Sequence, residues 1–558
     1  MVKKRVLILF LYLIFFQILS AEACTNFLIS KGATKDGSAM ITYAADSHTL
    51  YGELYFWPAA DYPDGTQLDI YEWDTGKFMG KIPQVKHTFQ VTGNINENQV
   101  AIGETTYGGR KELQTQKEAI IDYGSLIYIA LQRSRSAREA ITVMTDLVKN
   151  YGYGSEGESF SIGDPNEVWI LEMIGKGEGQ KGAVWVARRV PDGYISGHAN
   201  QARITQFPLN DPKNCLYSAD VISFAREKGF FDGKNNDFSF SDTYAPVTFG
   251  GARFCDARIW SGFNKVNKQM KQYENYVLGK VTFDENKYAP NRMPLWIKPD
   301  SLLSLKDVMN LMRDHYEGTA LDMNKDLGGG PFRAPYRWRP MEWKVDSVKY
   351  VHERAISTQQ TGFSFIAQCR SNLPNPIGGI LWFGVDDTYL TCYMPIYCGI
   401  KQVPTCLKVG DGDMLTWSDN SAFWTFNQVS NFCYSRYSDM IVDLQKVQSQ
   451  LENKFFTYAP LIDQGALTLW NKGEKDLACQ FLTEYSVNQV ENTVKRWKEL
   501  GHYLLIKYKD GNIMREKNGQ FERNESGKLP VSPLQPLYPD WWYRKIIENN
   551  KEHLKAVE

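Results

Sequence analysis

Cys24 is the residue in this chain with the most chemistry to offer, because the segment before it is patterned for removal immediately in front of it. Lys3, Lys4 and Arg5 lead into an apolar run from Val6 to Leu19, broken by Gln17, and then into Ala21-Glu22-Ala23, a small-x-small cleavage pattern. Cleavage after Ala23 predicts an exported protein, periplasmic or extracellular, whose first residue carries a thiol and a free α-amine together. An α-amine has a pKa of about 7.7–8.0, so at neutral pH part of it is unprotonated and able to take the thiol proton, directly or through a water. A cysteine within a chain has only an amide nitrogen beside it and lacks this base. Two other readings use the same residue. A cysteine after a leader is lipidated in lipoproteins, although Ala21-Glu22-Ala23 places a charge where small apolar residues are usual. Cysteines of exported proteins also commonly end in disulfides.

The elements that must position Cys24 follow at once. Cys24 to Ser30 reads as a buried strand, Lys31 to Ser38 as a turn containing Asp36-Gly37, and Ala39 to Ala44 as a second strand that leads to Asp46. Further on come Gln99-Val-Ala-Ile-Gly-Glu104-Thr105-Thr106, Ser159-Phe-Ser-Ile-Gly-Asp164, Glu167-Val-Trp-Ile-Leu-Glu172 and Ile195-Ser-Gly-His198-Ala-Asn200-Gln-Ala-Arg203. Arg354-Ala-Ile-Ser-Thr-Gln and Ile380-Leu-Trp382-Phe-Gly-Val-Asp386 complete the series. In order and spacing, over residues 24 to 430, these segments resemble the N-terminal nucleophile (Ntn) hydrolases that begin with cysteine, specifically the dipeptidase family related to dipeptidase A and the secernins.

The resemblance implies an α+β fold, the Ntn-hydrolase four-layer αββα sandwich, with a helical C-terminal elaboration. It divides the chain into a leader (1–23), a catalytic domain (24–430) and a helical extension with a Pro-rich tail (431–558). It also implies roles. Cys24 is the nucleophile and its α-amine the base; Asp46 orients the new terminus; Asn200 donates to the oxyanion. Asp46 also reads as a turn residue after a strand, and Asn200 as a turn cap. Acylase relatives carry Arg-Asn-x-Asp where this chain has Tyr43-Ala44-Ala45-Asp46, so an arginine near the thiol is missing. Arg258, in Phe254-Cys255-Asp256-Ala257-Arg258, is the candidate replacement by its position along the chain; an arginine ion-paired on a strand edge is the competing reading. Glu104 and Thr105 read either as pocket-lining residues or as ordinary ladder positions, and His48 as a structural histidine or one that reaches the site.

The activity implied is cysteine-type hydrolysis of dipeptides or short peptides through a thioester, with no metal or organic cofactor. An N-acyl amide hydrolase resembling choloylglycine hydrolase or penicillin V acylase is the alternative, and a lipid-anchored binding protein without catalysis is the alternative from a different class.

Composition agrees with a globular protein: 43% of residues are hydrophobic, 23% are charged, and the net charge is -1. That balance gives no support to nucleic-acid binding. About 535 residues remain after the leader, more than one ordinary core holds. Eight further cysteines permit disulfides, and Cys392, Cys398 and Cys406 are close enough in sequence to pair locally. Neither C-x-x-C nor H-E-x-x-H occurs, which leaves a zinc site little support. Gly152-Tyr153-Gly154-Ser155-Glu156-Gly157 satisfies G-x-G-x-x-G, but it follows a helical pattern and precedes a strand, the reverse of a dinucleotide site. Helices are predicted over 115–132 and 136–150, the second opened by a capping box at Ser136 and Glu139, and again over 440–506. The loop from Asp322 to Arg339, with Gly328-Gly329-Gly330-Pro331, reads as a substrate wall or as a packed surface loop.

Overall fold

The strands flanking the first turn are buried along their whole length because both of their faces are covered. Asn26–Ile29 and Ala39–Asp46 are buried at every position, and they pair antiparallel with Leu28 opposite Ile41. The turn between them is set by Asp36, whose Oδ1 accepts from the Ser38 amide at 3.1 Å and the Ser38 hydroxyl at 2.7 Å, and by Gly37 at φ +71°. The computed structural model describes residues 24–557, so the expected leader lies outside the described residues.

Two antiparallel sheets carry the molecule. One orders its seven strands as Trp296–Ile297, Ile195–His198, Asn26–Ile29, Ala39–Asp46, Thr361–Cys369, Gly379–Val385 and Met394–Tyr397. The other runs Cys215–Tyr217, Ala183–Arg189, Val168–Gly175, Gly157–Gly163, Ala101–Gly108, Ile95–Asn96, Val91–Thr92 and Phe56–Trp57. The sheets face each other, and the period of two along each strand sorts side chains between two cores. Val168, Ile170 and Ile174 join Ile41 and Leu28 between the sheets, whereas Trp169, Leu171 and Met173 join Leu126, Ile141 and Met144 of the helices Tyr123–Arg133 and Ala137–Tyr151. The inter-sheet space is narrow at Gly103, where a Cβ would come within 3.1 Å of the Tyr43 Cβ. His198 ties the sheets together: its ring nitrogens lie 2.7 Å from Thr105 Oγ1 and 2.7 Å from Ser161 Oγ, and burial lowers it to about 3, so it is neutral.

The helix Ala257–Val266 packs on the other sheet, with Gly262 so near Phe27 that a Cβ would lie 2.3 Å from the ring. The helical part of the chain opens with Ala422–Ser435, which runs through residue 430. The long helices Tyr437–Asn471 and Lys475–Tyr508 pack against each other, and the second lies on Met394–Tyr397.

Several expectations are revised. The helix predicted from 115 begins at Tyr123, because Asp122 Oδ1 accepts from the Gly124 and Ser125 amides and caps it there. The box at Ser136 is half formed: Ser136 Oγ accepts from the Glu139 amide at 3.2 Å, but Glu139 accepts from the Arg135 amide instead of that of Ser136. The glycine-rich segment links the end of the helix Ala137–Tyr151 to the strand Gly157–Gly163. Among the described residues Cys392, Cys398 and Cys406 form no disulfide. The loop from 322 to 339 packs on the C-terminal part, with Tyr336 against Tyr434 and Tyr437.

Asp386 makes the fold sensitive to pH. It is 1% exposed, takes hydrogen bonds from Ser430 Oγ at 2.5 Å and Asn427 Nδ2 at 2.9 Å, and burial raises its carboxyl from 3.8 to about 7. The folded protein therefore holds this proton more tightly than the unfolded chain. The associated stability is fully present below about pH 4 and is lost as pH rises through 7, to a limit of about 4 kcal/mol at ~1.4 kcal/mol per factor of ten. Asp386→Asn, which also tolerates the positive φ of 66°, is expected to flatten the fall in Tm between pH 5 and pH 8. An unchanged pH profile in scanning calorimetry would refute this assignment.

Candidate active site

Cys24 stands at the head of the first strand, where Thr25 bridges to Ala44 through backbone hydrogen bonds of 3.2 and 3.0 Å. Its side chain enters a cavity of about 340 Å³ lined by Tyr43, Asp46, Trp73, Glu104, Tyr128 and Phe363 among others. Sγ lies 3.7 Å from the Tyr43 hydroxyl and 3.6 Å from Glu104 Oε1. Tyr43 occupies the position at which the acylase pattern has its arginine, and its hydroxyl donates to Glu104 Oε1 at 2.5 Å. Burial, and then the neighbouring Cys24 and Glu104, raise the Tyr43 phenol well above its ordinary value. It is a neutral donor here, not a cation.

Asp46 closes its strand opposite Thr361, where the partner strand is bulged. Thr361 Oγ1 donates to Asp46 Oδ1 at 2.6 Å, while Oδ2 accepts from no donor among the described residues. Burial pushes this carboxyl from 3.8 up to about 7, against the opposing pull of Thr361, Arg354, Arg258 and Arg339.

Arg258 lies in a helix, Ala257–Val266, and not on a strand edge. That helix continues a π-helical turn, Gly251–Asp256, a local widening that recurs at functional sites. The side chain is fully buried. Nη1 donates to the Cys24 carbonyl and to Thr25 Oγ1, both at 2.7 Å. Nη2 donates to the Ala199 carbonyl at 3.0 Å and to Asn200 Oδ1 at 2.8 Å. Asn200 sits two residues beyond its strand at φ +62°, a conformation asparagine accepts more readily than most residues. Its Nδ2 donates to the Thr106 carbonyl at 2.6 Å.

The fold thus places Cys24 and Asp46 on one cavity and ties Asn200 to Cys24 through Arg258. His48 is exposed and lies off the cavity wall. Thr105 is engaged with His198. The loop at 322–339 does not line this cavity. The wall opposite Cys24 is aromatic: Trp73 lies 4.6 Å from Tyr128 and 5.0 Å from Tyr55, centroid to centroid. Trp73 and Asp74 come from the turn joining the strands Gln67–Tyr71 and Phe78–Pro83. Asp74 Oδ1 accepts from the Tyr123 hydroxyl at 2.8 Å, and Gly124 leaves room for the Trp73 ring, since a Cβ there would lie 2.3 Å from it. Trp73 and Asp74 lie in the turn of that hairpin, where no periodic pattern singles a residue out.

Among the described residues no cluster of three or more histidine, cysteine or acidic side chains is placed to hold a metal ion. No helix among them is long and apolar enough to cross a membrane.

A "Probable dipeptidase" of Latilactobacillus sakei is 25% identical over 498 residues, 83% of this chain and 95% of the relative. A "Probable dipeptidase" of Salmonella dublin is 25% identical over 398 residues, 68% of this chain and 82% of the relative. "Probable dipeptidase A" of Streptococcus pyogenes serotype M1 is 24% identical over 443 residues, 76% and 84% of the two chains. The sequence model of peptidase family C69 matches residues 23–450, from the residue before the thiol, through both sheets, to the first of the long helices. On that extent of match, this chain belongs to peptidase family C69.

Proposed function

We propose that the protein is an exported cysteine-type dipeptidase with an Ntn-hydrolase αββα architecture, active once Cys24 is the first residue. Cys24 Sγ attacks the peptide carbonyl carbon, and its thiol proton passes to the Cys24 α-amine. The tetrahedral oxyanion accepts a hydrogen bond from the Asn200 amide; one such donor contributes about 2.7–4 kcal/mol in hydrolases of known energetics. Collapse breaks the C–N bond, the leaving amine takes the stored proton, and a thioester remains. Water, deprotonated by the same α-amine, then releases the acid and restores the thiol. Arg258 holds the Cys24 backbone and Asn200 in one arrangement. Asp46 accepts a hydrogen bond from the terminal ammonium and fixes its direction.

The observation that carries this reading is the convergence of Cys24 and Asp46 on one cavity, with Asp46 Oδ2 buried and accepting from no donor among the described residues. A terminal ammonium supplies that donor. The family match and the names of the relatives favour dipeptides over N-acyl amides. The test is the N-terminal sequence and intact mass of the exported protein, followed by hydrolysis of a dipeptide panel. A terminus at an unmodified Cys24 with dipeptide turnover is expected. A lipidated Cys24, a different terminus, or turnover of N-acyl amino acids alone would overturn the proposal.

A further inference from the structure

Asn200 lines a cavity that adjoins the one Sγ enters, the two sharing Asp74 and Tyr123 as walls, and its Nδ2 already donates to the Thr106 carbonyl at 2.6 Å. On the Sγ side, the hydroxyl next to the thiol is that of Tyr43, 3.7 Å from Sγ and in the wall of the same cavity. A sulfur poised for attack lies about 3–3.5 Å from the carbonyl carbon, and the carbonyl oxygen is about 1.2 Å from that carbon. An oxyanion donor ends about 2.7–3.1 Å from that oxygen. A hydroxyl as near to Sγ as that of Tyr43 is therefore within reach of the oxyanion.

The phenol is also fixed in advance. Its ring is 7% exposed and meets Phe363 and Phe365 edge-on, with centroids 5.8 and 5.7 Å away. Gly103 closes in behind it, since a Cβ there would lie 3.1 Å from the Tyr43 Cβ. Its oxygen is held by Glu104 Oε1 at 2.5 Å. A donor held in place before charge develops costs no reorganisation when it does. Glu104 is itself 2% exposed, and burial raises its carboxyl. Carrying its proton, that carboxyl donates to the Tyr43 oxygen across the same contact, and the phenolic O–H turns to the oxyanion. A tyrosine and a carboxylic acid kept neutral by burial make an effective oxyanion site.

We propose that the Tyr43 hydroxyl, backed by Glu104, is the second oxyanion donor of this site, beside Asn200. It donates a hydrogen bond in the tetrahedral intermediates of acylation and deacylation, and gives up its proton in neither. This rests on Cys24 being the nucleophile.

The test reads Tyr43→Phe, which removes only the hydroxyl, in three ways. For alanyl-alanine, kcat is expected to fall about 10²- to 10³-fold with KM within about threefold of wild type. The Ki of alaninal, an aldehyde to which Sγ adds to form a tetrahedral adduct, is expected to rise by at least about tenfold. Alkylation of Cys24 by iodoacetamide passes through no oxyanion, and its rate is expected to stay within about threefold. Glu104→Gln, whose amide also donates to the Tyr43 oxygen, is expected to cost about tenfold in kcat. A Tyr43→Phe enzyme within about threefold of wild-type kcat would overturn the proposal. So would an alkylation rate that falls as far as kcat, which would assign Tyr43 to the thiol. A loss in Glu104→Gln as large as that in Tyr43→Phe would show Glu104 acting as a carboxylate, which repels an adjacent oxyanion, and would overturn the pairing. If Tyr43→Phe does not fold, Glu104→Leu leaves the phenol without its backing, and an unchanged Ki for alaninal there would overturn the proposal. Full activity of the wild type after alkylation at Cys24, read by mass spectrometry, would instead remove the nucleophile itself.

Discussion

Cys24→Ala is expected to abolish dipeptide hydrolysis, with kcat falling on the order of 10⁴- to 10⁶-fold, while the melting temperature moves little. The two readouts separate because of where the thiol sits. Sγ projects into an existing cavity and touches the Tyr43 hydroxyl and Glu104, so its removal enlarges a space already present and leaves strand pairing at Thr25 and Ala44 untouched. The loss of packing is about 1 kcal/mol or less. Cys24→Ser keeps the α-amine and a nucleophile of higher pKa, and is expected to retain a small residual rate above that of the alanine variant. In the wild type, rapid quenching with acid followed by mass spectrometry should trap the acyl group on the peptide that begins at Cys24. Activity within tenfold of wild type in the alanine variant would end the assignment.

What the sequence made legible was local. The strand, the Asp36-Gly37 turn and the second strand ending at Asp46 lie within a couple of dozen residues, and each carries its own signal in apolar runs and turn residues. The C-terminal helical stretch, expected over 440–506, was likewise readable from spacing and runs from Tyr437 to Tyr508, but the break between Asn471 and Lys475 was not read. The approach of Glu104 to Cys24 was not readable, because it depends on one sheet lying face to face with the other across 80 positions of chain. Nothing in Gly-Glu-Thr distinguishes a glutamate aimed at a thiol from one at a ladder edge. Arg258 was singled out by chain position alone, and the competing reading of a strand-edge arginine does not hold, because the residues around it form a π-helical turn and a helix. The start of the helix at Tyr123 was misplaced because the Asp122 cap overrides the helical spacing upstream. His198 is legible in the sequence as part of a strand, but its two hydroxyl partners come from strands of the opposite sheet, far off in the chain.

Arg258→Met is expected to cost both stability and activity, and Arg258→Lys to cost mainly activity. The guanidinium is fully buried and donates to the carbonyls of Cys24, Ala199 and Phe254, to Thr25 Oγ1 and to Asn200 Oδ1. Methionine matches its apolar length but leaves these acceptors without a donor in a dry environment, at about 1–3 kcal/mol for each that water cannot reach. A loss of about 3–5 kcal/mol and a clear drop in Tm follow. Lysine keeps the charge and up to three hydrogen bonds, but its single nitrogen cannot span the planar fork that joins Cys24 to Asn200. The lysine variant is therefore expected to hold most of the thermal stability while kcat falls about a hundredfold, since Asn200 then keeps its bond to the Thr106 carbonyl and loses the anchor that fixes its distance from the nucleophile. Thermal melts and steady-state kinetics on the two variants decide the point. A lysine variant with wild-type kcat would show that Arg258 serves the fold alone, and that the oxyanion donor is positioned without it.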